Sequence, residues 1–108
     1  MTLSLPPVID RFVAAVNRGN TAAFLGFFPA DGVVDDWGRR FVGHKAIRAW
    51  SDEELIGAKG NMTVKDVAED GNQITVTADW KSTFYSGPSR YVFIVDGDHI
   101  REMRITAA

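Results

Sequence analysis

The chain has 108 residues, the length of one small domain, so we expect a single domain over residues 1–108. Apolar residues make up 45% of the sequence and can supply a hydrophobic core. Twelve lysines and arginines against fourteen aspartates and glutamates give a net charge of −2, which argues against nucleic-acid binding. The absence of cysteine excludes disulfides, thiolate catalysis and cysteine-ligated metals, and two histidines argue against a histidine-rich metal site.

Targeting and membrane patterns are also missing from the sequence. The first ten residues lack the charged start and long apolar run of a signal peptide. No apolar stretch approaches the roughly 20 residues that a membrane span needs. We therefore expect a cytoplasmic domain that contacts neither membranes nor nucleic acids. No motif predicts a phosphate-binding loop, a metal site or another cofactor.

The N-terminal segment predicts two helices. After Pro6 and Pro7, which a first helical turn tolerates, apolar residues recur at the spacing of an amphipathic helix: Val8, Ile9, Phe12, Val13 and Val16. Residues 17–20 end that helix. A shorter helix is expected from Thr21 to Pro29, apolar on most sides and therefore nearly buried.

The middle of the chain predicts a small hairpin and a third helix. Residues 33–42 indicate two short strands about a turn at Gly38. Gly43 leads into a helix with Ala46, Ile47 and Trp50 on one side. Ser51 and Glu54 have the spacing of a capping box, so a new helical turn is expected to begin at Ser51.

From Asn61 the apolar period changes to two, which predicts a four-stranded antiparallel meander. Its turns are expected at Asp70-Gly71, Ser86-Gly87-Pro88 and Asp96-Gly97. The strand over residues 91–95 is apolar on both faces, so one face should pack on the helices and the other should need a partner. We expect a homodimer through this outer sheet face, because a large exposed apolar surface is rare in monomers.

Four segments, in this order, resemble the nuclear transport factor 2-like superfamily, the cone-shaped α+β fold of ketosteroid isomerases and SnoaL-like polyketide cyclases. They are residues 11–20 (RFVAAVNRGN), 27–36 (FFPADGVVDD), 41–47 (FVGHKAI) and 96–100 (DGDHI). The resemblance implies three N-terminal helices packed on a curved antiparallel sheet. It does not settle function, because the superfamily includes enzymes and non-enzymes.

In that fold the sheet wraps around the first helix and leaves a conical pocket, which suits a small, mostly apolar ligand. The resemblance implies these wall residues: Phe12, Val16, Trp37, Trp50, Trp80, Tyr91 and Met103. The alternative is that these side chains simply fill the core.

Asp36 is the candidate catalytic residue. It resembles in position the general base of ketosteroid isomerases, shortly after Val33-Val34 and just before the turn. A carboxylate walled by Trp37 and helix aromatics would be poorly solvated, which disfavours its charged form and suits proton transfer near neutral pH. Adjacent strand residues point to opposite faces, so at most one of Asp35 and Asp36 points inward. The alternative is a solvated pair beside the Gly38 turn.

The chain departs from the isomerase pattern at the oxyanion hole. Phe12 stands where those enzymes have a tyrosine, and the position of their protonated aspartate falls near Ser89 or Arg90. Arg90, Arg101 or Arg104 could hold an enolate or an acidic ligand if one of them pointed inward, although strand arginines are more often solvated.

Other superfamily chemistries need residues that this pattern does not bring together. Epoxide hydrolases of the superfamily use two carboxylates and an arginine around one water, which Asp36 and Asp79 would supply only if Asp79 faced inward. Its alternation with Thr75 and Thr77 predicts that it faces outward. His44 at a helix start and His99 in a hairpin are both expected to be solvated.

Two functions remain open on the sequence. The first is a cofactor-free isomerase or cyclase that uses Asp36 for proton transfer on an apolar carbonyl compound. The second is a non-catalytic domain that binds an apolar ligand or serves as a dimeric scaffold.

We predict negligible ketosteroid isomerase activity, because the loss of one oxyanion-hole donor typically costs about 10²–10³ in rate. The measurement is turnover of a β,γ-unsaturated steroid ketone by the purified protein. Rapid turnover would contradict the prediction.

Overall fold

The computed structural model describes residues 5–108, and residues 1–4 of the expected domain lie outside that range. Within it, helices and strands follow the predicted order. They are α1 (Pro7–Asn17), α2 (Thr21–Gly26), β1 (Val33–Asp36), β2 (Arg39–Val42), α3 (Gly43–Glu54), β3 (Asn61–Asp70), β4 (Gln73–Lys81), β5 (Gly87–Asp96) and β6 (His99–Ala107). No helix in the described range is long and apolar enough to cross a membrane.

The strands form one six-stranded sheet in the order β2-β1-β6-β5-β4-β3. Neighbours pair antiparallel except β1 and β6, which run parallel with Val34 beside Met103 and Asp36 beside Ile105. The α+β cone fold is confirmed, and its sheet is mixed rather than wholly antiparallel. The apolar period of a strand does not identify a partner strand far along the chain, so the sequence analysis missed this pair.

The second helix is shorter and more exposed than predicted. It ends at Gly26 rather than at Pro29, and Phe24 is its one buried residue in the described structure. Asn20 caps it, because its side-chain oxygen accepts a hydrogen bond from the Ala23 amide at 3.1 Å. A helix of this length packs with one side only, so its other apolar residues stay partly exposed.

The capping box predicted at Ser51 is wrong. Helix α3 continues through this residue to Glu54, and Ser51 is buried beside Trp50. Its hydroxyl lies near the end of the helix, where it accepts a 3.5 Å hydrogen bond from the Ile56 amide. The inward packing of Ile47, Trp50 and Ser51 outweighs the local capping preference.

The turn predicted at Ser86-Gly87-Pro88 lies slightly earlier in the chain. Residues 82–86 make the reversal, where the Ser82 hydroxyl accepts hydrogen bonds from the amides of Phe84 and Tyr85 at 3.1 and 3.0 Å. Gly87 already belongs to β5 and lies opposite Trp80. The serine side chain thus shapes the loop that the glycine and proline were expected to form.

Phe12 of α1 occupies the centre of the hydrophobic core. Its ring lies 5.5, 5.5, 6.1 and 5.3 Å, between centroids, from the rings of Phe24, Phe27, Phe28 and Phe93. Three of these contacts are edge-to-face, an arrangement that adds to the stabilisation from burial. The cluster joins α1 to α2, the segment after it and the sheet.

The outer face of the sheet is less apolar than the sequence suggests. Val92 lies between Thr75 and Arg104, and Ile94 lies between Gln73 and Glu102. Both apolar side chains are half-buried by their polar neighbours. Homodimerisation through this face stays a prediction.

Replacement of Phe12 by alanine should lower the free energy of unfolding by about 3–5 kcal/mol, because it opens a cavity in the centre of the aromatic cluster. Phe84→Ala is the matched control: Phe84 is 63% exposed, so its removal should change stability by about 0.5 kcal/mol or less. Urea unfolding at neutral pH measures both. Equal effects of the two substitutions would contradict this description of the core.

Candidate functional site

A cavity of about 210 Å³ opens between α3 and the end of the sheet that carries Asp36. Aromatic side chains form much of its wall: Trp37, Trp50, Trp80, Phe84, Tyr85 and Tyr91. Its polar lining consists of Asp36, Arg39, Glu54 and Ser89. Trp80 packs so closely on Gly60 that a Cβ at that position would overlap its indole. The glycine therefore allows Trp80 to take its place in the wall.

Five of the eight residues singled out from the sequence line this cavity: Asp36, Trp37, Trp50, Trp80 and Tyr91. The other three, which were expected in the pocket wall, lie in the hydrophobic core: Phe12, Val16 and Met103. For these three the core-filling alternative is correct, because the inner face of α1 packs directly on the sheet and on α2.

Strand alternation directs Asp36 inward and Asp35 outward. Asp36 is 9% exposed, whereas Asp35 is half-exposed and accepts a 2.8 Å hydrogen bond from the Gly38 amide in the adjacent turn. At most one inward carboxylate was predicted from this pair, and in the structure it is Asp36. The alternative to a buried carboxylate was that Asp35 and Asp36 both lie in solvent beside the Gly38 turn. In the structure only Asp35 has this role.

The two oxygens of Asp36 have different environments. Oδ2 accepts hydrogen bonds from the Trp50 indole, at 3.1 Å, and from the Arg39 guanidinium. Oδ1 has no hydrogen-bond partner among the described residues, and it is not among their buried atoms that lack one. Oδ2 thus fixes the carboxylate, while Oδ1 is not fully buried and belongs to a residue that lines the cavity.

Arg39 links Asp36 to a second carboxylate. Its Nη1 and Nη2 donate to the two oxygens of Glu54 at 3.0 and 2.7 Å, a paired geometry that favours strong binding. The hydrogen bond with Glu54, aided by the negative charges of Asp36 and Glu54 and opposed by desolvation, raises the pKa of Arg39 above its ordinary value. Arg39 therefore stays positively charged.

Arg39 and Glu54 were not predicted from the sequence as residues of the site. Arg39 was within reach, because a turn at Gly38 places it opposite Asp36 in the hairpin register. Glu54 lies at the end of α3 and meets Arg39 only through tertiary packing. Asp36 was expected to be walled by aromatics, and the structure adds an arginine to that wall.

Tyr91 and Ser89 bring hydroxyl groups to the same cavity. Both are inward-facing, buried residues of β5. Burial raises the pKa of Tyr91 above its ordinary value, and the neighbouring Ser89 side chain opposes this effect. The phenol therefore stays protonated near neutral pH and can donate a hydrogen bond.

The three candidate arginines lie outside the cavity. Arg90, Arg101 and Arg104 are exposed, and Arg104 pairs with Glu102 at 2.9 Å. Of the two residues near the expected oxyanion position, Ser89 faces the cavity and Arg90 does not.

Asp79 faces outward as predicted, with an oxygen 3.5 Å from the Lys65 ammonium. His44 and His99 are exposed and do not line the cavity, although the Nε2 of His44 lies 2.7 Å from the Phe28 carbonyl oxygen. Residues 5–108 contain no group of three or more His, Asp or Glu side chains placed to hold a metal ion.

Three partly exposed aromatic residues form the mouth of the cavity: Trp37 (58% exposed), Phe84 (63%) and Tyr85 (45%). Trp37 has a φ of 56° and Gly38 a φ of 88°, so both central residues of the β1–β2 turn are left-handed. Such turns favour Asn-Gly, and a bulky residue in this region costs about 1–2 kcal/mol. A hydrogen bond from the Trp37 amide to the Ile105 carbonyl, 3.1 Å, ties the turn to β6.

Solved structures of other proteins share this fold. A candidate polyketide cyclase from Sinorhizobium meliloti is 24% identical and superposes with a TM-score of 0.83, covering 94% of this chain and 95% of that one. A protein of ketosteroid isomerase-like fold from Catenulispora acidiphila, in complex with trimethylamine, is 19% identical with a TM-score of 0.82, covering 97% and 88%. The epoxide hydrolase/cyclase-like enzyme SalBIII, with a role in pyran ring formation in the polyether salinomycin, is 16% identical with a TM-score of 0.84, covering 94% and 88%.

At these identities the likeness establishes the fold alone. A sequence comparison with curated proteins finds no match. The SnoaL-like domain family matches residues 9–107, almost the whole chain. Because this match covers nearly all of an α+β cone that its structural neighbours share, the chain belongs to the SnoaL-like domain family of the nuclear transport factor 2-like fold.

Proposed function

We propose that the protein is a cofactor-free isomerase or cyclase in which Asp36 accepts a proton from a small, mostly apolar carbonyl compound. The asymmetry of the Asp36 carboxylate carries the proposal. Arg39 and Trp50 hold Oδ2, whereas Oδ1 has no hydrogen-bond partner among the described residues, and Asp36 lines an aromatic cavity. A carboxylate fixed by one oxygen and open at the other is well placed to act as a general base.

The remaining polar groups suit the charge that such a step creates. When Asp36 Oδ1 takes a proton from the carbon beside the carbonyl, the electrons of the C–H bond pass into an enolate. The hydroxyl groups of Tyr91 and Ser89 can then donate hydrogen bonds to the enolate oxygen. Return of the proton to a different carbon gives an isomer. Alternatively, the enolate carbon attacks a second carbonyl group and closes a ring, and the alkoxide that forms takes the proton back from Asp36.

The size of the cavity favours a small ligand. Its volume of about 210 Å³ lies below the roughly 300–1,000 Å³ of pockets that enclose drug-sized molecules. A larger compound would have to extend through the aromatic mouth. Among the structural neighbours, one holds trimethylamine and another takes part in ring formation, which supports both a small ligand and cyclase chemistry for this fold.

Asp36→Asn should reduce proton exchange at a ketone by about 10²–10⁴-fold, the usual contribution of a general base. The assay follows loss of the α-proton signals of 2-indanone in D₂O by NMR. Asp35→Asn is the matched control: it makes the same charge change on the neighbouring outward-facing residue and should keep the wild-type rate.

Equal rates for wild type and Asp36→Asn would contradict the proposal. So would a wild-type rate no faster than that of buffer carboxylate. Either result would favour the non-catalytic ligand-binding or scaffold function.

Tyr91 should make the protein less stable at alkaline pH. Its pKa is raised in the folded state, so above about pH 10 the unfolded chain releases a proton that the folded chain retains. The free energy of unfolding should then fall by about 1.4 kcal/mol per pH unit between pH 10 and the folded-state pKa.

Tyr91→Phe lacks this proton and should lose the corresponding pH dependence. Urea unfolding of both proteins from pH 8 to above pH 10 measures the difference. Parallel stability curves would show that the Tyr91 phenol is not held in its protonated form by burial.

A further inference from the structure

The charges of the residues that line the cavity do not sum to zero. Asp36 and Glu54 each carry a negative charge, and Arg39 carries the one positive charge in the described lining. Arg39 occupies both oxygens of Glu54 and one oxygen of Asp36. Its guanidinium also lies 5.7 Å from the centre of the Phe41 ring. Asp36, which lines the cavity and keeps one oxygen without a hydrogen-bond partner among the described residues, therefore carries negative charge that Arg39 does not fully offset.

Aromatic faces around this charge are available to a ligand. Trp37, Phe84 and Tyr85 line the cavity and are exposed, and none of them pairs with another aromatic ring in the described structure. The negative face of an aromatic ring attracts cations, and tryptophan does so most strongly. Negative charge and free aromatic faces in one cavity favour the same kind of ligand.

The conformation of Trp37 is an independent observation. A left-handed backbone is unfavourable for this bulky residue, and its indole is too exposed to contribute much to the core. Asparagine or glycine would relieve the strain. The chain instead places a large aromatic side chain here, at the mouth of the cavity. A role in ligand binding would explain why this strained residue is a tryptophan.

We propose that the cavity binds a small organic cation, with a tertiary or quaternary ammonium group placed among the aromatic rings of Trp37, Phe84 and Tyr85 and facing the negative charge of Asp36. This inference deepens the proposed function and rests on the same cavity, since it names a charged group that the carbonyl compound would carry. It does not depend on the proton-transfer step.

The test compares choline with 3,3-dimethylbutan-1-ol, a neutral molecule of the same shape. Binding is followed through the indole N–H signals of Trp37, Trp50 and Trp80 in ¹H–¹⁵N NMR titrations. Choline should bind roughly three- to thirtyfold more tightly than the alcohol, the range expected for a cation on exposed or desolvated aromatic faces. Equal affinities, or no shift with either compound, would overturn the inference.

Amino-acid substitutions test whether choline binds in this cavity. Trp37→Asn should fold, because asparagine tolerates a positive φ, and it should lose most of the preference for choline. Asp36→Asn should weaken choline binding, whereas Asp35→Asn, with the same change in net charge, should not. If Asp35→Asn weakens it as much, the effect is one of overall charge and the assignment to this cavity is wrong.

The two proposals fail in different ways. Equal binding of choline and the alcohol would show that the cavity has no preference for a cation. Asp36 could still exchange the protons of 2-indanone in that case. Selective choline binding without Asp36-dependent exchange would leave a cation-binding domain with no proton-transfer activity.

Discussion

The parallel pairing of β1 with β6 determines where the candidate site lies. It places Asp36 beside Ile105, and β6 in turn places Ile105 beside Tyr91 of β5. These three side chains form one row across the sheet, and all three line the cavity. A shift of one residue in this register would turn Asp36 to the outer face, so the position of the carboxylate depends on the pairing.

Around that row, one arginine offsets two carboxylates that would otherwise repel each other. Arg39 comes from β2 and Glu54 from the end of α3, so the contact also joins the hairpin to the helix. Removal of the arginine would leave two poorly solvated negative charges, which costs more than the loss of one surface ion pair. Arg39 fixes Asp36 through Oδ2, and the proposed proton transfer uses the other oxygen, Oδ1.

The aromatic residues divide into two groups with different tasks. The rings around Phe12 fill the core and connect the helices to the sheet. The rings at the other end, from Trp50 to the exposed Trp37, surround the cavity. Trp50, Trp80 and Tyr91 belong to both the core cluster and the cavity wall, whereas the exposed Trp37 lies outside the core.

Local patterns in the sequence determined the order of helices and strands, the hairpins and the rule that at most one of Asp35 and Asp36 points inward, because these depend on residues within a few positions of each other. Only the tertiary structure decided that β1 pairs with β6, that Glu54 meets Arg39, and that Phe12 fills the core instead of the cavity wall. Such contacts join elements far apart in the chain. Whether an aromatic side chain meets another ring or an open space depends on the shapes of all the elements packed around it.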